Sequence, residues 1–304
     1  MYCPLFLLIA IGSVAHAAAV ATTSVLVGPY TIASSTISIP TLDSSDRRVE
    51  LHYPANQTNQ SFPIVIFAHG LDNEPSDYSK LFAGIVSFGY IITSHHACKE
   101  GCVDDKTTLE WDPPAFAHYY QQQLKVIEWI QAQPNDLTTL PFHIDFTHGV
   151  GIAGHSMGGQ ATLFSSSDNN ASTHNITAAV MHHAFTHTYP APAVPFLAFT
   201  GEEDIVAYPS YTERFFYAKG PVHVAAKGLI YRTEADHFEP EDPFFPFYNS
   251  FNPLVAQYTA AWFKLYLENK TIEFGIDFHD LIYGTNSSSV CKGDGAMVKC
   301  EMKE

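Results

Sequence analysis

The stretch Gly154-His155-Ser156-Met157-Gly158-Gly159 decides the fold of this chain. It fits the pattern G-x-S-x-G, in which a serine stands on a strained turn between a strand and a helix. The apolar run 149–153 before it predicts a short buried strand, and residues 160–164 after it can continue as a helix. Strand, turn and helix occur in the order that the motif requires. Ser156 is therefore predicted to be a nucleophile.

The length of the chain fits one large α/β domain or two small ones, and nothing in the sequence forces a division. The chain has 304 residues, and neither an internal repeat nor a low-complexity linker divides it. Apolar residues make up 46% of the sequence and charged residues 15%, which is enough to fill a sizeable core. The formal net charge of −16 repels nucleic acid and anionic membrane surfaces, so neither is expected as a partner. We expect a single α/β domain over residues 18–304, present as a monomer.

Residues 1–17 have the features of a secretory signal peptide. An apolar core at 5–11 precedes Ala15-His16-Ala17, which offers the small-x-small cleavage pattern. That core is too short to span a bilayer, and no later segment reaches the ~20 apolar residues of a transmembrane helix. The protein is therefore expected to be secreted, without a stable membrane anchor.

Sequons and cysteines agree with a secretory route. The glycosylation pattern N-x-[ST] occurs at Asn56, Asn59, Asn170, Asn175, Asn269 and Asn286. Signal cleavage would remove Cys3, and the remaining cysteines then form two local pairs in an oxidising compartment, Cys98–Cys102 and Cys291–Cys300. The alternative is a metal site that combines the first pair with His95 and His96. It lacks a second C-x-x-C half and a reducing compartment, so we expect no metal and no organic cofactor.

Apolar runs alternate with amphipathic stretches along the chain. Antiparallel strands are predicted at 25–39 and 49–53, and buried strands at 64–68, 90–94, 149–153, 178–181, 196–199 and 228–231. A periodicity of ~3.6 residues predicts helices at 78–88, 114–133 and 254–267. Strands that alternate with helices imply right-handed crossovers. The expected architecture is a mostly parallel, twisted sheet with helices on both faces.

A serine nucleophile needs a base to accept its proton, and the base needs an acid to orient it. Where a nucleophile elbow is used, the chain order is serine, acid, histidine. Asp204 and His237 each follow a predicted strand and so lie at the carboxyl edge of the sheet, which predicts Asp204 as the acid and His237 as the base. Glu203 remains an alternative acid, whereas Asp236 is adjacent to the base and poorly placed to orient it. The alternative for His237 is an ordinary surface histidine.

Acyl transfer also needs N–H donors for the negative oxygen of the tetrahedral intermediate. One predicted donor is the backbone N–H of Met157, which directly follows the nucleophile. The second is the backbone N–H of Leu71, on the loop after the strand at 64–68, where Gly70 supplies the flexible turn. The side chain of His69 is predicted to be structural.

These residues together resemble the α/β-hydrolase family that contains the bacterial cutinase-like polyester hydrolases. Dienelactone hydrolase, plant chlorophyllase and platelet-activating-factor acetylhydrolase are more distant relatives of that group. The resemblance covers nearly the whole mature chain and rests on 28–31, 49–56, 154–159, 201–204, 236–238, 261–264 and the Cys291–Cys300 pair. It implies an α/β-hydrolase fold and the hydrolysis of a small-molecule or polymeric carboxylic ester.

The chain also departs from that group. Leu71 stands where those enzymes commonly have an aromatic residue, and the segment that ends at Phe185 stands where they have a tryptophan. Residues 98–102 and 239–251 resemble insertions relative to the enzymes of that group. The segment after the base is rich in aromatic residues, namely Phe238, Phe244, Phe245, Phe247, Tyr248 and Phe251. These side chains either form the wall of an acyl pocket or pack the loop against the rest of the domain. Phe185 and Phe238 are the predicted substrate contacts.

Three functions remain open at this point. The first is a secreted serine carboxylesterase that acts through an acyl-enzyme. The second is a lipid or pigment esterase of the acetylhydrolase or chlorophyllase type. The third is an inactive hydrolase-fold protein that serves as a binding module, because a fold alone does not define an activity.

Overall fold

One mixed sheet crosses the part of the protein that the computed structural model describes, which comprises residues 25–99, 118–134, 137–218, 224–243, 251–293 and 297–304. Its strands are β1 (Ile32–Ser38), β2 (Arg48–Pro54), β3 (Ile64–Ala68), β4 (Ile91–His95), β5 (Val150–His155), β6 (Ile176–His182), β7 (Phe196–Gly201), β8 (Lys227–Arg232) and β9 (Met297–Lys303). The predicted signal peptide lies outside the described residues, as do Cys102 and residues 244–250.

Helices flank this sheet on both sides. They are α1 (Ser79–Ser87), α2 (Tyr119–Gln131), α3 (Met157–Ser165), α4 (Asp168–His174), α5 (Pro209–Tyr217), α6 (Pro253–Tyr266), α7 (Phe278–Tyr283) and α8 (Val290–Gly293). A 3₁₀ turn at Pro75–Tyr78 leads into α1. Two short strand pairs lie outside the main sheet, Ser61–Phe62 with His143–Ile144 and Ile272–Glu273 with Ile276–Asp277.

The order of strands across the sheet is β1-β2-β4-β3-β5-β6-β7-β8-β9. The central strands from β4 to β8 are parallel to one another, whereas β1, β2 and β9 join antiparallel at the two edges. This arrangement confirms the predicted α/β class and the early antiparallel strands. It also brings the carboxyl ends of β5, β7 and β8 to the same edge.

The parallel strands are buried on both faces, as β3 illustrates. Its residues Ile64, Ile66 and Ala68 pack in the core cluster that contains the apolar side chains of α2 and α3. Val65 and Phe67 point to the opposite face and join the cluster formed with α1 and α6. Because side chains alternate between the faces of a strand, such a run must be apolar at every position. No helix among the described residues is long and apolar enough to cross a membrane.

The predicted element boundaries are close to those observed, with informative exceptions. The first strand begins at Ile32 rather than at residue 25, and the helix predicted over 114–133 is observed over Tyr119–Gln131, with 114–117 outside the described residues. The edge strand β9 was not predicted, because its alternating Met, Val, Lys and Glu residues are half-buried and carry a weak apolar pattern. It pairs with β8, and the predicted Cys291–Cys300 disulfide ties it to α8.

Candidate active site

Ser156 stands alone on the turn between β5 and α3. Its φ of 55° and ψ of −117° lie in a region that non-glycine residues rarely adopt. Its N–H donates to the His182 carbonyl (3.0 Å), and its carbonyl accepts from the Phe185 N–H (3.0 Å). Strain of this kind is concentrated at functional sites, because the surrounding structure must hold it in place.

The glycines of the motif allow this turn to pack tightly. A Cβ atom on Gly158 would lie 1.9 Å from the Ala68 carbonyl oxygen, and one on Gly154 would lie 2.2 Å from the Gly158 carbonyl oxygen. Both contacts are with backbone, which cannot move aside as a side chain can. The glycine pattern therefore reflects the close approach of α3 to the end of β3.

The substitution Gly158→Ala is expected to destabilise the protein by about 3 kcal/mol or more, because α3 must shift away from β3. Thermal unfolding of the variant measures the loss. Gly275→Ala is the matched control: Gly275 has a φ of +77° but nothing within 4 Å of its Cβ position, so only backbone strain is added. A Gly158→Ala protein as stable as this control would contradict the packing argument.

Three predicted side chains meet at the carboxyl edge of the sheet. His237 Nε2 lies 2.9 Å from Ser156 Oγ, and His237 Nδ1 lies 3.0 Å from Asp204 Oδ2. All three residues are buried, with 7% or less of each exposed. Because the carboxylate can only accept, His237 Nδ1 carries the proton and Nε2 is left to accept the hydroxyl proton of Ser156. We call Ser156, His237 and Asp204 the hydrogen-bonded triad.

Asp204 is held as an anion by N–H groups. Its Oδ1 accepts from the backbone N–H groups of Val206 (2.9 Å) and Ala207 (2.7 Å). Burial alone would raise the pKa of Asp204, but hydrogen bonds from His183 and His237 hold it well below its usual range. The alternative acid, Glu203, is exposed to solvent. Asp236 accepts from the Phe238 N–H at 2.9 Å and serves to shape the histidine loop.

A second set of hydrogen bonds links the loop after β3 to the histidine loop. The Gly70 N–H donates to Tyr78 Oη (3.0 Å), and Tyr78 Oη lies 2.9 Å from His155 Nδ1. His155 Nε2 donates to the His237 carbonyl at 2.8 Å. Burial, with the nearby His237 and His183, keeps the pKa of His155 well below its usual range, so the ring is neutral and can donate at one nitrogen and accept at the other. The Gly70 N–H is thereby occupied, which leaves the Leu71 N–H as the predicted oxyanion donor of this loop.

The residue that sequence reasoning missed is His183. It directly follows β6, has a φ of 46°, and is fully buried. Its Nδ1 lies 2.9 Å from Asp204 Oδ2, and its Nε2 lies 3.3 Å from Glu239 Oε2. Burial would lower the pKa of His183, but the hydrogen bonds to Asp204 and Glu239 outweigh it and raise the pKa to about 9. The only signal in the sequence was the departure from the polyester-hydrolase pattern in this segment.

Donor atoms of His183, Asp204 and His237 lie within 4.8 Å of one another, a spacing that a metal ion could use. The hydrogen bonds do not fit a metal. His183 faces a carboxylate at each ring nitrogen, so both nitrogens carry protons and neither has a lone pair for a metal. In the other candidate metal group, His96 Nε2 lies 3.1 Å from Glu50 Oε1.

An apolar cleft of about 430 Å³ is formed by residues that follow Asp204 in the chain and by the segment that contains Phe185. It is lined by Phe185, His187, Ile205, Val206, Tyr208 and Tyr211. Two of these residues directly follow Asp204 in the chain, and a third donates its N–H to the Ser156 carbonyl. The predicted substrate contact Phe185 therefore lines this cleft. Phe238 is 40% exposed and packs its ring edge-on against His237, with centroids 5.5 Å apart.

The family model of the PET hydrolase-like proteins matches residues 13–279. The chain belongs to this family. The prediction of an ester hydrolase related to the cutinase-like polyester hydrolases, with an α/β-hydrolase fold, is thereby confirmed.

Relatives of this chain carry the names of ester hydrolases and cutinases. A bis(hydroxyethyl) terephthalate hydrolase of Streptomyces coelicolor is 23% identical over 247 residues, which cover 80% of this chain and 69% of the relative. Cutinase 2 of Thermobifida cellulosilytica is 24% identical over 222 residues, which cover 73% of this chain and 74% of the relative. A cutinase of Thermobifida fusca is 24% identical over 73% of this chain and 60% of its own length.

The remaining predicted sites of this PET hydrolase-like protein are the sequons, the first cysteine pair and the aromatic segment after the base. Asn56, Asn59, Asn175, Asn269 and Asn286 are exposed. Asn170 is half-buried, and its amide nitrogen donates to the Phe164 carbonyl (3.0 Å), so this nitrogen is engaged within the fold. The Cys98–Cys102 disulfide stays a prediction because Cys102 lies outside the described residues. The aromatic wall also stays a prediction, because Phe244, Phe245, Phe247 and Tyr248 lie outside them as well. Phe251 packs against the core on the α6 face.

Proposed function

We propose that the protein is a secreted serine carboxylic ester hydrolase that acts through an acyl-enzyme. Ser156 is the nucleophile, His237 the general base and Asp204 the acid that orients it. The observation that carries the proposal is the unbroken contact from Asp204 Oδ2 through His237 to Ser156 Oγ, at 3.0 and 2.9 Å. These distances are those of hydrogen bonds, so a proton can pass from the hydroxyl to the ring without rearrangement.

Acylation follows from this geometry. Ser156 Oγ attacks the ester carbonyl carbon while its proton moves to His237 Nε2, and the carbonyl electron pair moves to the oxygen. The backbone N–H groups of Leu71 and Met157 stabilise that negative oxygen. When the intermediate collapses, the alcohol leaves with the proton from His237. A water molecule then repeats the same steps on the acyl-enzyme and releases the acid.

The cleft indicates the chemical class of the substrate. Its lining is mostly aromatic or aliphatic, and it includes Phe185, whose N–H donates to the Ser156 carbonyl, so the acyl or alcohol part of an ester bound at Ser156 could extend into it. The names of the relatives point to aromatic terephthalate esters and to cutin polyesters. We therefore propose esters with an aromatic or extended apolar group as the preferred substrates, in small-molecule or polymeric form.

The proposal is tested by hydrolysis of bis(hydroxyethyl) terephthalate and of a p-nitrophenyl ester series from acetate to palmitate. Turnover of the terephthalate ester, with a preference for apolar acyl groups over acetate, is the expected result. A failure to hydrolyse any of these esters by a protein that is folded would contradict the proposed function.

Replacing Tyr208 by alanine is expected to raise KM for bis(hydroxyethyl) terephthalate about tenfold, because one aromatic wall of the cleft is lost. KM for ethyl acetate should change little, since that ester is too small to reach the wall. Tyr208 is 53% exposed, so the substitution should leave the fold intact. The control is Tyr217→Ala. Tyr208 directly precedes α5 and Tyr217 is its last residue; both are exposed, but Tyr217 does not line the cleft. Equal losses on both esters would contradict the role of the cleft.

A further inference from the structure

The proposed acid is shared by two histidines. Asp204 Oδ2 lies 3.0 Å from His237 Nδ1 and 2.9 Å from His183 Nδ1, while Asp204 Oδ1 is occupied by backbone N–H groups. The orientation of His237 therefore depends on an oxygen that a second imidazole also binds. A Ser-His-Asp triad requires only the first of these contacts.

His183 is a cation in this arrangement. Its Nδ1 faces Asp204 and its Nε2 faces Glu239, and a carboxylate oxygen can only accept a hydrogen bond. Both ring nitrogens must therefore donate, which requires the doubly protonated imidazolium. The left-handed backbone of His183, at the carboxyl end of β6, is a conformation that a β-carbon disfavours, so the surrounding fold holds it in place.

Charged groups behind His183 complete an alternating series. Glu239 Oε1 lies 2.6 Å from Arg232 Nε at the end of β8, and it accepts from Asn252 Nδ2 at 3.1 Å. Asn252 also caps α6 through its contact with the Leu254 N–H (3.0 Å), so Glu239 is held by a fixed element. From Arg232 to Asp204 the charges run plus, minus, plus, minus. The series is neutral in sum, and it ends on the oxygen that His237 uses.

We propose that His183 is a positioning residue that keeps His237 in its neutral, proton-accepting form to lower pH than a carboxylate alone would allow. The ring centroids of His183 and His237 are 6.1 Å apart. A fixed positive charge at that distance opposes the addition of a second positive charge to the His237 ring. Glu239 offsets only part of this effect, because it contacts the other ring nitrogen of His183.

Other titratable groups around this pair do not replace His183. The ring of His155 lies 4.8 Å from that of His237 and 6.4 Å from that of His183, but it is neutral. His182 precedes His183 and is neutral as well, since burial lowers its pKa to about 3. Burial, with Asp77 nearby, raises the pKa of Glu241 to about 8, so this side chain is uncharged through the acid range.

The inference rests on the proposed function, because His237 limits the rate at acid pH only if it is the base. The test is the pH dependence of kcat/KM for p-nitrophenyl butyrate, with wild type beside His183→Asn. The acid limb of the variant is expected to move up by about one pH unit, which corresponds to an approximately tenfold lower rate at pH values below both midpoints. An unchanged midpoint, with kcat lowered at every pH, would show that His183 is only structural.

A second variant keeps the inference testable if His183→Asn does not fold. Glu239→Gln removes the negative charge behind His183 and leaves Arg232 uncompensated. The new amide oxygen can still accept from His183 Nε2 and Asp204 still accepts from Nδ1, so the ring stays a cation and the acid limb should move down. Where His183→Asn does fold, the double variant removes both charges, and its midpoint should return towards that of the wild type. A shift of Glu239→Gln in the same direction as His183→Asn would overturn the electrostatic account.

The matched control is His174→Asn. His174 is also a buried histidine that faces a carboxylate, with its Nε2 3.0 Å from Glu128 Oε1, but it lies on α4. Its acid limb should coincide with that of the wild type. An upward shift equal to that of His183→Asn would show that the loss of any buried histidine produces the effect.

Nuclear magnetic resonance of ¹⁵N-histidine-labelled protein separates a failure of this inference from a failure of the proposed function. In the wild type, both ring nitrogens of His183 should be protonated at pH 7, and His237 should gain its second proton at a lower pH than in His183→Asn. These observations need no turnover. A protein that hydrolyses no ester but shows them would refute the proposed function alone, whereas a neutral His183 at pH 7 would refute the inference.

Discussion

Replacing Ser156 by alanine is expected to lower kcat for ester hydrolysis by about 10⁶, as in other serine hydrolases whose nucleophile is removed. The reason is that Ser156 Oγ is the hydroxyl that contacts His237 Nε2 in the part of the chain that the structure describes, and alanine removes it. Residual activity should come from substrate binding and the oxyanion donors alone. The measurement is the steady-state turnover of p-nitrophenyl butyrate, with circular dichroism to show that both proteins are folded.

The control for this test is a serine substitution away from the triad. Ser38→Ala, at an exposed position on the edge strand β1, removes a hydroxyl at a site without a proposed role and should retain full activity. If Ser156→Ala retained more than a small fraction of the wild-type rate, the acyl-enzyme mechanism would be wrong. Loss of activity in both variants would indicate a general defect rather than a missing nucleophile.

Replacing Asp204 by asparagine is expected to lower kcat by about 10⁴, because the amide no longer holds the Nδ1–H tautomer of His237. The change also removes one of the two carboxylates beside His183, so a lower Tm is expected. Steady-state kinetics and thermal unfolding, recorded on the same preparations, separate the two effects. A loss of activity at temperatures far below Tm reports on chemistry rather than on stability.

Glu203→Gln is the matched control for Asp204→Asn. It neutralises the neighbouring carboxylate, changes the net charge by the same amount, and tests the alternative acid directly. Glu203 is exposed, whereas Asp204 is 2% exposed and contacts His237. Near-wild-type kinetics are expected for Glu203→Gln. If this variant lost as much activity as Asp204→Asn, the assignment of the acid would have to be reversed.

Much of the fold could be predicted because local pattern and chain order carry it. The run at 64–68 is apolar at every position, and only a strand covered on both faces buries it fully. The G-x-S-x-G motif fixes one strand–turn–helix unit, and the later two members of the hydrogen-bonded triad follow strands that end at the same edge. The order serine, acid, histidine therefore identified side chains that the structure brings within hydrogen-bond distance.

His183 could not be assigned a role in this way, for a physical reason. Its partners lie 21 and 56 residues further along the chain, on the loops after β7 and β8, and no local pattern connects them. Its orientation depends on a single left-handed backbone conformation, and a histidine in the sequence gives no indication of that conformation. Edge strand β9 was missed for a related reason, since its stability depends on pairing with β8 and on the disulfide rather than on its own apolar pattern.

The most direct test of the central claim is to find the atom that carries the acyl group. The protein is treated with a fluorophosphonate, which traps activated serine nucleophiles, and the modified peptide is identified by mass spectrometry. A single phosphonate on Ser156, absent from Ser156→Ala and strongly slowed in Asp204→Asn, is the predicted result. Modification of a different residue, or none in a folded protein that hydrolyses esters, would contradict the account.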